Sequence, residues 1–314
     1  NIVTYSGYPT GTENPYDQEH ASRVVGIVHT VAPAAQIYLT KIDSLDDIII
    51  AINRLINYSD VDIISMSISS DYGNDPNPYF NSTQMLQWIN DLNECIKETN
   101  TIICIANGNA ILFNDSGDPY ESVNQLATPD NVLAVGGVNS NSCTTPNNQN
   151  YTAPTGVVDN PYPSSHDVTM GYVFKEQYPF NNYDIVNRPD IVAPCISYDV
   201  YSMPSADGTS FATPLTASSI ALLMDESSYL IGRQSLVKSM LAASAKYKGD
   251  ETSYISTDYN ICWSDHEGAG VLNTYGAYYI RVNGRYTCTS IYKSAQGQSS
   301  NPIYFTAVFI MFLR

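Results

Sequence analysis

The sequence predicts an α/β fold of three layers, a mostly parallel sheet with helices on both faces. Two observations carry this. Apolar runs of strand length alternate with segments of helical apolar spacing over the first half of the chain, and strands separated by helices must cross over to lie parallel. A chain of 314 residues with 43% hydrophobic content can also bury a sizeable core.

The elements follow in order. Residues 1–19 read as a polar loop. "HASRVVGIVHTV" (His20 to Val31) reads as a helix opened by His20 and closed by Ala32-Pro33. "QIYLTKI" (Gln36 to Ile42) is a strand. "LDDIIIAINRLINY" (Leu45 to Tyr58) has helical spacing and acidic residues in its first turn. "VDIISMSI" (Val61 to Ile68) is a buried strand, and "STQMLQWINDLNECIKE" (Ser82 to Glu98) an amphipathic helix. "TIICIA" (Thr101 to Ala106) and "NVLAVGGV" (Asn131 to Val138) are further strands. Residues 139–187, rich in Asn, Pro, Tyr and Ser, read as a loop-rich insertion. "DIVAP" (Asp190 to Pro194), a helix from about Ser210 and a helix over Arg233 to Ala245 come next. From about Arg285 the pattern turns to short strands. The expected organisation is one main domain over 1–284 and the beginning of an incomplete C-terminal β-domain over 285–314.

Composition narrows the function. The net charge is −17 and only 14% of residues are charged, well below the usual quarter. Nucleic acid and anionic membranes are poor partners for such a chain, since both need clustered Lys and Arg. The apolar tail "FTAVFIMFL" (Phe305 to Leu313) is too short for a membrane-spanning helix. Six cysteines, Cys95, Cys104, Cys143, Cys195, Cys262 and Cys288, contain no C-x-x-C pair, which removes zinc-ribbon and thioredoxin readings and leaves any disulfide pairing open. Cys104 lies in an apolar run and reads as a buried, inert thiol.

Three segments could carry chemistry. "ADGTSFATPL" (Ala206 to Leu215) places Ser210 at a helix start, where unpaired backbone N–H groups can face an oxyanion. Pro214 is expected within the first turn, where its missing N–H has no partner to lose. A serine nucleophile needs a base, and the histidines are His20, His29, His166 and His266. His20 has small neighbours, Ala21 and Ser22. Asn109, in "IICIANGNA", follows a buried strand, the edge at which parallel sheets place their sites. Its amide could donate to an oxyanion. Taken singly, each has a plain structural reading: a helix cap, a surface histidine, a turn.

Together and in this order they resemble the subtilisin-like serine peptidases, the subtilases. "HASRVVGIVHTVAPAAQIYLTKI" is similar to that family's His-Gly-Thr-His-Val-Ala-Gly helix and the strand after it. "DIISMSIS", "IANGN", "NVLAVGGVNS", "RPDIVAP", "DGTSFATPLTASSIALLM" and "GAGVLNTYGAY" resemble further segments, over about His20 to Tyr279. The resemblance implies Ser210 as nucleophile, His20 as general base, and Asn109 with the Ser210 N–H as oxyanion donors. It implies that a peptide pairs along Ser67, Ile68 and Ser69, with Ile105, Ala106, Asn107 and Gly108 as the facing pocket wall. It implies peptide or protein substrates, a secreted or cell-surface setting, and calcium as a frequent ligand, though no spacing here assigns a site.

The sequence departs from the pattern in one serious respect. The family's triad Asp ends the first core strand, within Asp-Ser-Gly or Asp-Thr-Gly, before the His. Only nineteen residues precede His20, and Asp17 is their one Asp. Asp115-Ser116-Gly117 matches the triplet but follows Asn109, so it reads as a turn. The expectation is that the acid and the first strand lie upstream of Asn1; the alternative is a catalytically inactive, peptide- or partner-binding relative. Ala21, Ser22 and Arg23 replace the motif's Gly, Thr and second His, Ser69 replaces a Gly in the cleft, and Cys195 replaces the Gly after Ala-Pro. A sedolisin-type peptidase would need Glu at His20 and Asp at Asn109, so that reading is set aside.

Overall fold

The computed structural model describes residues 2–5, 15–40, 42, 45–58, 61–68, 82–97, 99–108, 111–113, 119–121, 124–127, 129, 131–138, 189–195, 208–245, 255–256, 261–262, 268–283, 285–286 and 309–310. Its elements are β1 (Ile2–Tyr5), α1 (Pro15–Val31), β2 (Ile37–Thr40), α2 (Leu45–Tyr58), β3 (Ile63–Met66), α3 (Ser82–Lys97), β4 (Ile102–Ala106), β5 (Ile111–Phe113), β6 (Pro119–Glu121), β7 (Val132–Val138), β8 (Ile191–Pro194), α4 (Thr209–Asp225), α5 (Gln234–Ser244), β9 (Ile255–Ser256), β10 (Ile261–Cys262), α6 (Thr274–Asn283), β11 (Arg285–Tyr286) and β12 (Phe309–Ile310).

The central sheet runs β3-β4-β7-β8, every pair parallel. Period-two alternation along its strands splits the core into two layers. Ile102 and Cys104 of β4, with Leu133 and Val135 of β7, pack on Ile220 and Leu223 of α4, Val237 and Met240 of α5, and Ala277 of α6. Their neighbours Ile103, Ile105, Val132 and Ala134 point the other way, onto Ile48 and Ile52 of α2 and Leu92 and Ile96 of α3. The result is the expected three-layer arrangement. Each of these large side chains, once out of water, contributes roughly 1.5–3 kcal/mol.

Polar groups lock the sheet's far edge. The Asp190 carboxylate accepts from the Ala134 N–H at 2.8 Å and lies 3.7 Å from Lys238 Nζ. Val271 bridges Val192 in parallel, extending the edge of β8. Gly268 makes this approach possible: its φ is +58°, and a Cβ there would lie 2.3 Å from the Pro189 carbonyl oxygen.

Two expectations are corrected at the N-terminus. First, the opening stretch is not all loop. β1 lies within the chain and pairs parallel with β2, Ile2 opposite Ile37 through Tyr5 opposite Thr40. All four of its residues are β-branched or aromatic, types that suit a strand. Second, α1 begins at Pro15, five residues before His20. Asn14-Pro15 is a helix-start signature: a capping residue type, then Pro at the first helical position, where its missing N–H costs nothing. The expected insertion at 139–187 lies outside the described residues, and so does most of 285–314.

Candidate active site

α4 is buried almost all round, an environment that its hydroxyl residues survive by bonding back along the helix. Thr213 and Thr216 donate to the carbonyls of Thr209 and Ala212, and Ser218 to that of Pro214. Ser210 is half-buried in the first turn of this helix. Gly208 caps the helix with φ 132° and ψ 159°, a backbone state open to glycine and strained for other residues, and no side chain caps the turn. The Phe211 N–H donates to the Gly208 carbonyl at 2.9 Å, and Ser210 sits at the positive end of the helix dipole.

Three strand ends hold this turn in place. The Gly208 N–H donates to the Cys195 carbonyl just after β8, at 2.9 Å. Thr209 Oγ1 donates to the Gly108 carbonyl after β4, at 3.1 Å. Ser67 Oγ donates to the Ser210 carbonyl from the end of β3, at 2.7 Å. All three lie at the C-terminal edge of a parallel sheet, the edge at which such sheets build their sites.

Pro214 departs from expectation. It is the sixth residue of α4, an interior position, where its N–H would have bonded the Ser210 carbonyl four residues back. The Ser67 hydroxyl supplies that carbonyl with a donor instead.

His20 is the sixth residue of α1 and so does not open the helix. Its ring centroid is 5.6 Å from that of Phe211, the planes inclined at 51°. Two turns further along α1, on the same face by helical spacing, Ile27 packs with Phe211 and Leu215 of α4. That small apolar contact docks the helix of His20 against the helix of Ser210. Arg23, in the place of the motif's second His, pairs with Glu19 one turn back.

The expected wall residues fall at one end of the sheet. Ser67 and Ile68 follow β3 and are half-buried; Ile105 and Ala106 end β4, and Asn107 and Gly108 follow it, all four buried. Asn124, which the sequence did not single out, joins the two sides. Its amide nitrogen donates to the carbonyls of Ile68 and Ala106, both at 2.8 Å, while its Oδ1 accepts from the Leu126 N–H at 3.1 Å. Asn109, Ser69 and Asp115 lie outside the described residues. The backbone at Asp17 is helical rather than loop. β1 ends at Tyr5, and Ser6-Gly7 follows it in sequence.

Of the cysteines described, Cys95, Cys104 and Cys195 are free thiols. Complete burial pushes the Cys104 thiol up to about 12, with Lys238 opposing the shift and Asp190 adding to it. It is as inert as the sequence suggested. Among the described residues no group of three His, Cys, Asp or Glu comes together to hold a metal ion. No described helix is long and apolar enough to cross a membrane.

A serine at the mouth of a buried helix, held by three parallel strand ends and faced by a histidine-bearing helix, thus sits at the C-terminal edge of a three-layer α/β fold. The family model of the subtilases, the peptidase S8 family, matches residues 5–277. The chain belongs to the subtilase family. No curated protein matches it. Among solved structures it is similar to the patellamide maturation protease PatG, at 16% identity and a TM-score of 0.52 over 90% of this chain and 84% of that one. It is also similar to the Aeromonas sobria serine protease in complex with its chaperone, at 15% identity and a TM-score of 0.55 over 85% of this chain and 53% of the other. At these identities the likeness is one of fold.

Proposed function

We propose that this chain is a peptide-bond hydrolase in which Ser210 Oγ attacks the substrate carbonyl and His20 takes its proton. The observation that carries the reading is the docking of α1 on the first turn of α4, with the His20 ring against Phe211, the residue after Ser210. The open first-turn N–H of Ser210 is the oxyanion donor, and Asn109, close after β4 in sequence, adds a second. Substrate lies along Ser67 and Ile68, with Ala106 to Gly108 opposite and Ser69 continuing the strand side. A peptide or protein substrate follows from that groove, and a secreted or cell-surface setting fits the net charge of −17. The test is covalent labelling of the full chain by a fluorophosphonate. Labelling at Ser210, lost in Ser210→Ala and His20→Ala, is expected; a chain that stays unlabelled overturns the reading.

One observation favours a second reading, a peptide-binding relative without turnover. β1 ends at Tyr5, and with the Ser6-Gly7 that follows in sequence it resembles the family's Asp-Ser-Gly pattern with tyrosine in the place of the acid. Without the carboxylate that fixes the histidine tautomer, turnover falls on the order of 10⁴-fold in a serine triad. Peptide binding by a chain that neither labels nor hydrolyses would establish this alternative.

A further inference from the structure

We propose that Ser67 is a positioning residue for the nucleophile, through a hydrogen bond that Pro214 makes necessary. The inference rests on Ser210 being the nucleophile. In an unbroken helix the N–H of residue 214 would bond the carbonyl of residue 210. Proline has no N–H, and its ring crowds the carbonyl four residues back. In the half-buried first turn of α4 at Ser210 that carbonyl would otherwise lack its helical donor. The Ser67 hydroxyl reaches it at 2.7 Å across 143 residues of sequence.

The bond links two parts of the site with different tasks. Ser67 sits at the end of β3, on the side of the groove where substrate backbone is proposed to pair. Its side chain meanwhile grips the peptide unit that carries Ser210. The nucleophile's backbone is thus referenced to the substrate strand as well as to its own helix. A substrate drawn onto Ser67 and Ile68 bears on the same peptide unit that sets the direction of Ser210 Oγ. Such a tie acts on orientation, so it belongs to the rate of attack more than to substrate affinity. Satisfying the carbonyl within the helix would release Ser67 from this task.

The experiment is a double-mutant cycle on the full chain, read as the second-order rate of fluorophosphonate labelling and, with a peptide substrate, as kcat and KM. Ser67→Ala is expected to lower the labelling rate about tenfold, the size of one neutral hydrogen bond, with the loss in kcat and little change in KM. Ser67→Thr keeps the hydroxyl and is expected to stay within about twofold of the parent. In a Pro214→Ala background residue 214 has an N–H for the Ser210 carbonyl, and adding Ser67→Ala there should cost less than about twofold. Ser67→Cys keeps the shape with a weaker donor and serves if the alanine variant does not fold; it too should label more slowly than the parent. Parent-rate labelling in Ser67→Ala, or an equal loss in both backgrounds, overturns the inference and leaves the peptidase reading standing. A parent chain that does not label takes both down together.

Discussion

The serine half and the histidine half of the site are built differently. α4 packs on all four strands of the central sheet, and its first turn is bonded to three of their ends. α1 instead packs along α4 itself, more extensively than any other two elements, with Ile27 on Phe211 and Leu215 and the His20 ring beside Phe211, and it scarcely touches the central sheet. β1 and β2 pair with one another as a separate two-stranded unit. Ser210 is thus tied to the sheet directly, whereas His20 is tied to it through α4. The departures from the family motif fall on both sides: Ala21, Ser22 and Arg23 in α1, and Ser69 and Cys195 after β3 and β8 in sequence. A core-embedded serine turn keeps its shape whether or not it turns over substrate, because the packing that holds it also holds the fold.

The largest expected effect sharpens that contrast. Tyr5→Asp should raise the labelling rate of Ser210 by roughly 10²–10⁴, by supplying the carboxylate that fixes the histidine. A rate unchanged from the parent would break the link drawn between β1 and His20. Next comes stability. Ile220→Ala in the core under α4 should cost about 2–5 kcal/mol, measured by urea denaturation; a loss below 1 kcal/mol would mean that α4 is not the anchor described. The smallest effect concerns the groove. Asn124→Ala removes the amide joining Ile68 to Ala106 and should cost about 1–3 kcal/mol. It should also relax the size limit on the substrate side chain, seen as a flatter profile across a peptide library. An unaltered profile would place Asn124 outside the pocket.

The alternation of apolar runs made the sheet and its two layers legible, because strands such as β4 are apolar on both faces and have no other stable home. α2 lies where its spacing placed it, Leu45–Tyr58. The serine turn was readable as well, since Gly-Thr-Ser before a small-residue helix is local information. The start of α1 was missed although Asn14-Pro15 announces it, because apolar periodicity begins only at His20. β1 was missed because four residues give too short a pattern to separate from a loop. The work of Asn124 and of the Ser67 hydroxyl had no local signal: both depend on carbonyls brought close by folding from distant parts of the chain.

That distance also orders events in time. The Ser67–Ser210 bond closes a loop of 143 residues, so at roughly 5–20 residues per second the ribosome makes the groove some 7–30 seconds before it makes the helix that arms it. A nascent chain carries the base and much of the binding wall through that interval with no nucleophile to use. Because the sheet pairs β3, β4, β7 and β8 in the order in which they are synthesised, it can grow by one edge strand at a time, with α4 arriving last to seal it. The serine turn is thus set in place only when the core closes.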